Sequence, residues 1–155
     1  MKYYCDASFN PQHKIAVIAW KSNDNDDNNI HYKILYDTTN TGAEIEALVE
    51  ILNEIYNSNL RENVIIFTDC QSAINRINAR IKLIESNFIS KKGTRNRNAD
   101  RYIKIFKLID SIDADIEFKH IKGHVPAGQM NDDNKIFSSI DKFARKQLRV
   151  IITNM

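Results

Sequence analysis

Apolar and polar residues follow two rhythms along this chain, and the switches between them mark out strands and helices. The sharpest segment is Val64-Ile65-Ile66-Phe67-Thr68-Asp69-Cys70-Gln71-Ser72, where four large apolar residues run together without helical spacing and stop at a carboxylate. Such a run fits a central strand buried on both faces, with Asp69 at its carboxyl end. Ahead of it, residues 2–9 read as a first strand. Residues 14–20 read as a second, joined through the short link Asn10-Pro11-Gln12-His13, so the two are expected to pair antiparallel. Ile30, Tyr32, Ile34 and Tyr36 then alternate with more polar neighbours as a half-buried third strand would.

Elsewhere the spacing is helical. Ile45, Leu48, Val49, Leu52, Ile55 and Tyr56 share one stripe, predicting a helix over about residues 42–56, and Thr41 with Glu44 three residues later fits a capping box. A second helix follows the central strand through about residue 79, extending toward 88. A basic loop over 90–98 leads into an amphipathic helix carrying Tyr102, Ile103, Phe106 and Ile109. Residues 115–121 make a fifth strand. A long loop over 122–134 then precedes a last helix with Ile136, Ile140, Phe143, Ala144 and Leu148 as its buried stripe and Asp141 at the border. Three strands on short links, then alternating helices and strands, predict an α/β fold: a mixed sheet covered by helices, the central strand beside the first.

Size and charge narrow this only modestly. At 155 residues and 43% hydrophobic content, residues 1–155 are expected to form a single domain. A net charge of +2 names no partner, but residues 76–107 hold ten Lys or Arg against only Glu85 and Asp100, a surface that suits phosphates or simply water. The acidic residues of the polar turn over 22–29 lack the glycine and closing glutamate of a calcium loop and read as solvated. Cys5 and Cys70 fit neither a zinc motif nor a disulfide framework and read as reduced core thiols. No secretory leader is visible, and no apolar run approaches the roughly 20 residues of a membrane span, so a soluble, cytoplasmic protein is expected.

The candidate chemistry starts from isolated carboxylates. Asp6 lies inside the apolar run Tyr3-Tyr4-Cys5-Asp6-Ala7-Ser8, where a lone charge is costly without a counter-ion or metal, and Asp69 ends the central strand. Together they suggest a bound cation.

Five segments carry a family resemblance: Tyr4-Cys5-Asp6-Ala7-Ser8, Thr39-Asn40-Thr41-Gly42-Ala43-Glu44, Thr68-Asp69-Cys70-Gln71-Ser72, Lys122-Gly123-His124 and Ile140-Asp141-Lys142-Phe143-Ala144-Arg145. In this order and spacing, over nearly the full length, the chain resembles ribonuclease H. The resemblance implies a five-stranded sheet with strands one to three antiparallel, strands one, four and five parallel, and helices on both faces. It implies an endoribonuclease that cuts the RNA strand of RNA–DNA hybrids and leaves 3′-hydroxyl and 5′-phosphate ends. Two magnesium ions, for which manganese can substitute, would be held by Asp6, Glu44, Asp69 and Asp141; magnesium's preference for oxygen ligands and the two-sided charge of phosphodiester displacement suit that set.

Each assignment has a plainer competitor. Glu44 could serve only as the capping partner of Thr41, Glu46 lies on a different side of the helix, and Asp132 and Asp133 stand in reserve or cap the last helix. His124, following Lys-Gly, matches a family histidine that moves protons or helps release product, while His120 falls within a strand and makes a poor zinc pair with it. For substrate, Lys91, Lys92, Arg95, Arg97, Asn98 and Arg101 resemble the family's basic protrusion, and Asn40, Thr41 and Gln71 match positions that meet the hybrid.

There are also departures. The first turn, Phe9-Asn10-Pro11-Gln12-His13, lacks the family's glycines. The interval from His124 to Asp141 is long, with Asn134 the best match to the asparagine before the last helix. A monomer with no separate hybrid-binding module is expected. The alternatives are a catalytically degenerate nucleic-acid-binding domain of this fold, or another nuclease or strand-transfer enzyme of the same superfold.

Overall fold

The computed structural model describes residues 1–24 and 29–155, so much of the polar turn over 22–29, with its acids read as solvated, lies outside the described residues. Strand β1 (Lys2–Asn10) turns through residues 11–14 into β2 (Ile15–Ser22), and β3 (His31–Leu35) follows on the outer edge of β2. Helix α1 (Asn40–Ser58) then leads to β4 (Val64–Thr68), α2 (Gln71–Asn78) and α3 (Arg80–Glu85). The chain ends with α4 (Ala99–Ser111), β5 (Ile116–His120), a short 3-10 turn at Ala127–Gln129 and α5 (Asp132–Thr153).

The strands form one sheet in the order β3-β2-β1-β4-β5, with β1 antiparallel to β2 and parallel to β4, and β4 parallel to β5. This is the mixed α/β sheet anticipated above. Alternation along β1 divides its side chains between two cores. Tyr3 and Cys5 join Leu48 and Leu52 of α1 and Tyr102 and Phe106 of α4 on one face, while Tyr4 joins Phe67 and the Phe137, Ile140, Ala144 and Leu148 stripe of α5 on the other. Each such aliphatic or aromatic side chain contributes about 1.5–3 kcal/mol on burial, and trimming Leu52 to alanine should cost about 2–5 kcal/mol through the cavity it leaves.

Four expectations are corrected. The N-cap of α1 is Thr39, whose Oγ1 accepts from the Gly42 N–H at 3.0 Å, so the Thr41–Glu44 capping box does not form and Glu44 is released for other work. Gly42 suits this cap because a Cβ there would lie 2.9 Å from Thr39 Oγ1.

Tyr32 of the edge strand β3 and Tyr36 just after it are exposed, because α5 packs mainly over β1 and β2 and reaches Tyr32 only edge-on through Phe143. The helix after β4 breaks at Ala79. Its second piece, α3, has no fully buried residue and meets the core only through the half-buried Leu83, and the left-handed Asn87 and Phe88 turn the chain so that Phe88 stacks on Phe106. Finally, Phe137 rather than Phe143 belongs to the fully buried stripe of α5. Among the described residues no helix is long and apolar enough to cross a membrane.

Candidate active site

The register of the parallel strands places the first two carboxylates. Tyr4 of β1 pairs with Phe67 of β4, and Asp6 and Asp69 each stand two residues further along, on the face toward α5. β4 ends at Thr68, so Asp69 is at the strand tip. Glu44 comes from the opposite layer, in the second turn of α1. Ligand oxygens of Asp6, Glu44 and Asp69 all lie within 4.8 Å of one another.

Three carboxylates this close, with Asp6 and Glu44 buried, cannot all carry charge comfortably. Burial, then the Asp69 charge and a hydrogen bond shared with Asp141, push Asp6 up to about 8. Burial, followed by the charges of Asp6 and Asp69, drives Glu44 well above the usual carboxylate range, and the Ala7 backbone N–H offsets this only in part. Burial raises Asp69 as well, opposed by backbone hydrogen bonding and the neighbouring His120 and His124.

Glu44 Oε2 is buried without a hydrogen-bond partner. An orphaned carboxylate oxygen aimed into an acidic cluster is what a cation site leaves when only its protein ligands are considered, so these residues fit a hard divalent ion.

A cleft of about 330 Å³ opens from Asp6 and Asp69 between α5 and the loop after β5, lined among others by Gly123, His124, Asn134, Phe137, Asp141 and Arg145. Asp141, on α5, lines this cleft with Asp6 and Asp69 but stands outside the close group of three carboxylates. It is held by Arg145, whose Nε donates to Oδ1 at 3.1 Å and whose Nη2 lies 2.9 Å from Oδ2. Gly123 lies beside the cluster, where a Cβ would make only ordinary van der Waals contact with Asp69 Oδ2 at 3.6 Å.

Residues 1–149 match the RNase H family. The chain belongs to that family. RNase H enzymes are metal-dependent ribonucleases that hydrolyse the RNA of RNA–DNA hybrids, and the Asp6, Glu44 and Asp69 cluster is a candidate acidic metal-binding triad of the kind typical of RNase H active sites. No curated protein matches the sequence.

Among solved structures, the foamy viral protease–reverse transcriptase in complex with an RNA/DNA hybrid is similar to this chain with a TM-score of 0.72 and 16% identity. The match covers 94% of this chain and 19% of that one. The native prototype foamy virus protease–reverse transcriptase matches with a TM-score of 0.73 and 19% identity, covering 94% and 20%. The chain therefore spans about a fifth of the length of these relatives, and at such identity the likeness is one of fold.

The other RNase H-like positions fall at the starts of α1 and α2 and on the basic loop. Asn40 and Thr41 are exposed in the first turn of α1, with Gln71 exposed at the start of α2, where its side chain donates to Asn75. Lys91, Lys92 and Arg97 are exposed in the basic loop and form no ion pair among the described residues. Arg95 pairs with Asp100 at 3.0 Å. Arg76, Arg95 and Arg97 line a second cleft of about 400 Å³.

Arg101 is placed differently from its sequence assignment. Its Nε donates to Glu46 at 3.0 Å and its Nη1 to Asn98 at 3.0 Å, making it a strut between α4, α1 and the basic loop. Asn134 lies in the first turn of α5, in a reciprocal capping box with Asn131, and Asp133 accepts from Tyr4 and Lys2. Both cysteines are free, Cys5 buried and Cys70 half-buried. Sequence reasoning passed over Arg145; its spacing four residues after Asp141 on a helix was the available signal.

Proposed function

We propose that this chain, residues 1–155 acting as one domain, is an endoribonuclease that hydrolyses the RNA strand of RNA–DNA hybrids, leaving 3′-hydroxyl and 5′-phosphate ends. The observation that carries the reading is the convergence of Asp6, Glu44 and Asp69 with a buried, unpartnered Glu44 oxygen among them. Asp6, Glu44, Asp69 and Asp141 would hold two magnesium ions. Bound there, such ions supply an activated water and stabilise the departing oxygen of a phosphodiester.

The chain's own residues do the rest. The rigid β1–β4 register fixes Asp6 and Asp69, and α1 delivers Glu44 from the other layer. Ionisation of these crowded acids needs a cation, so ligand binding and proton release are coupled. His124, exposed at the mouth of the cleft, is placed to move a proton or assist product departure. Lys91, Lys92, Arg95, Arg97 and Asn98 would engage backbone phosphates, with Arg101 bracing their loop, while Asn40, Thr41 and Gln71 sit at exposed helix starts suited to backbone and 2′-hydroxyl contacts.

The test is a panel of end-labelled RNA–DNA hybrid, duplex RNA and duplex DNA with magnesium. Cleavage confined to the RNA of the hybrid supports the reading; preference for duplex DNA points to another nuclease of the superfold, and salt-sensitive binding without cleavage to a degenerate binding domain.

A further inference from the structure

On the proposed ribonuclease reading, we infer that Arg145 is a positioning residue that ties His124 to Asp141 across the mouth of the cleft and selects one tautomer of the histidine. An exposed acid–base pair at this helical spacing is ordinarily worth only about 0.3–0.5 kcal/mol. Arg145 does more than complete such a pair. Its guanidinium grips both oxygens of Asp141, and its Nη2 also lies 3.3 Å from His124 Nε2. One planar cation thus joins an acid on α5 to a histidine on the loop that forms the opposite wall.

The loop needs such a tie. His124 has a left-handed backbone with φ 57°, and among the described residues the backbone of residues 122–125 makes no hydrogen bond to the rest of the chain. The last backbone anchor before it is the Ile121 N–H on Thr68, and the next is internal to the turn at Pro126–Gln129. Arg145 therefore supplies the polar contact that fixes the imidazole.

The tautomer follows from the donor inventory. A guanidinium only donates, so Nε2 must accept and the ring proton resides on Nδ1. A lysine at 145 keeps the charge but carries its three donors on one nitrogen, which cannot span both carboxylate oxygens and the ring as the guanidinium does.

The test compares wild type, Arg145→Lys and Arg145→Ala, without metal, by ¹⁵N shifts of the His124 ring nitrogens at a pH where the ring is neutral. Wild type should show a dominant Nδ1–H form, and both variants should drift toward the mixture of a free histidine. In hybrid cleavage Arg145→Ala should lower kcat about tenfold with KM little changed, as loss of an orienting partner does. Its effect should shrink in a His124→Ala background.

A His124 tautomer indifferent to residue 145, or equal costs in both backgrounds, would overturn the inference. A protein that shows the tautomer change but cleaves no hybrid contradicts the ribonuclease reading and leaves this arrangement standing.

Discussion

Tyr4 and Phe67 face each other across the parallel β1–β4 pair with their rings stacked at 5.2 Å, and two residues beyond each stands a carboxylate, Asp6 and Asp69. The aromatic pair is the last apolar layer of the sheet before the acidic cluster. Its stacking fixes the relative register of the strands, and the register fixes the distance between the acids.

Crowding of those acids predicts that Asp6→Asn stabilises the metal-free protein while destroying its site. With Asp6 pushed up to about 8, folding at neutral pH forces this buried carboxyl to take up a proton, a cost an amide does not carry, so the substitution should add roughly 2 kcal/mol. That is a rise of about 5 °C in Tm for a chain of this size. Thermal melts in a chelator check it. A lower Tm for the variant would contradict the crowding.

The same physics sets a pH dependence. Asp6 moves from the 3.8 of a free aspartate up to about 8 on folding, and Glu44 also moves up. Between these limits the folded state binds more protons than the unfolded one, so metal-free stability is full below about pH 4 and falls as pH rises toward 8. A divalent ion, which favours the ionised carboxylates, should flatten this slope. Urea midpoints at pH 5, 6.5 and 8, with chelator and with magnesium, measure both effects. A chelator series that gains stability with pH would contradict the account.

Tyr4 also anchors the helix that carries Asp141. Its hydroxyl donates to Asp133 Oδ1 at 2.5 Å, and Lys2 Nζ lies 3.2 Å from the same oxygen, so the first turn of α5 is tied to β1. Tyr4→Phe keeps the stack on Phe67 and removes this bond, which should cost about 1.5–3 kcal/mol as a hydrogen bond to a charged group. Chemical denaturation should show the loss in the midpoint with an unchanged m-value.

Much of this was legible in the sequence because it rests on local contrast. Asp69 stood out where an apolar run stopped, and Asp6 because it interrupted one; link lengths and alternation pointed to a mixed sheet with the central strand beside the first, and the parallel arrangement of strands one, four and five rested on the family resemblance. What the sequence hid depends on contacts between distant elements. Thr41 with Glu44 fits a capping box on paper, and only the folded backbone shows the Gly42 N–H meeting Thr39 instead. Arg101 reads as one more phosphate ligand until α4 lies against α1 and Glu46 takes its guanidinium. Tyr32 and Tyr36 alternate as buried residues do, yet β3 is an edge strand: Tyr32 meets only Phe143 of α5 edge-on, and Tyr36 lies just past the strand's end, so both stay exposed.

The distinction between Arg101 and its basic neighbours is measurable. Changing Lys91, Lys92 and Arg97 together to Gln should weaken hybrid binding across sequences and reduce the salt slope by about 2–3, close to one per lost phosphate contact. Arg101→Gln should instead lower thermal stability, because it strands Glu46, and alter the slope less. Equal slope changes for Arg101 alone and for a single loop lysine would mean that Arg101 also reaches phosphate.

The central claim is that Asp69, with Asp6 and Glu44, forms the metal-dependent centre of a ribonuclease. It is tested most directly by incubating an end-labelled RNA–DNA hybrid with magnesium and either wild type or Asp69→Asn. Wild type should cut the RNA strand to 3′-hydroxyl and 5′-phosphate ends and leave the DNA intact. Asp69→Asn, folded by thermal melt, should retain less than about a thousandth of that rate, the scale expected when an electrostatic centre is dismantled. Robust RNA cleavage by the variant would contradict the account.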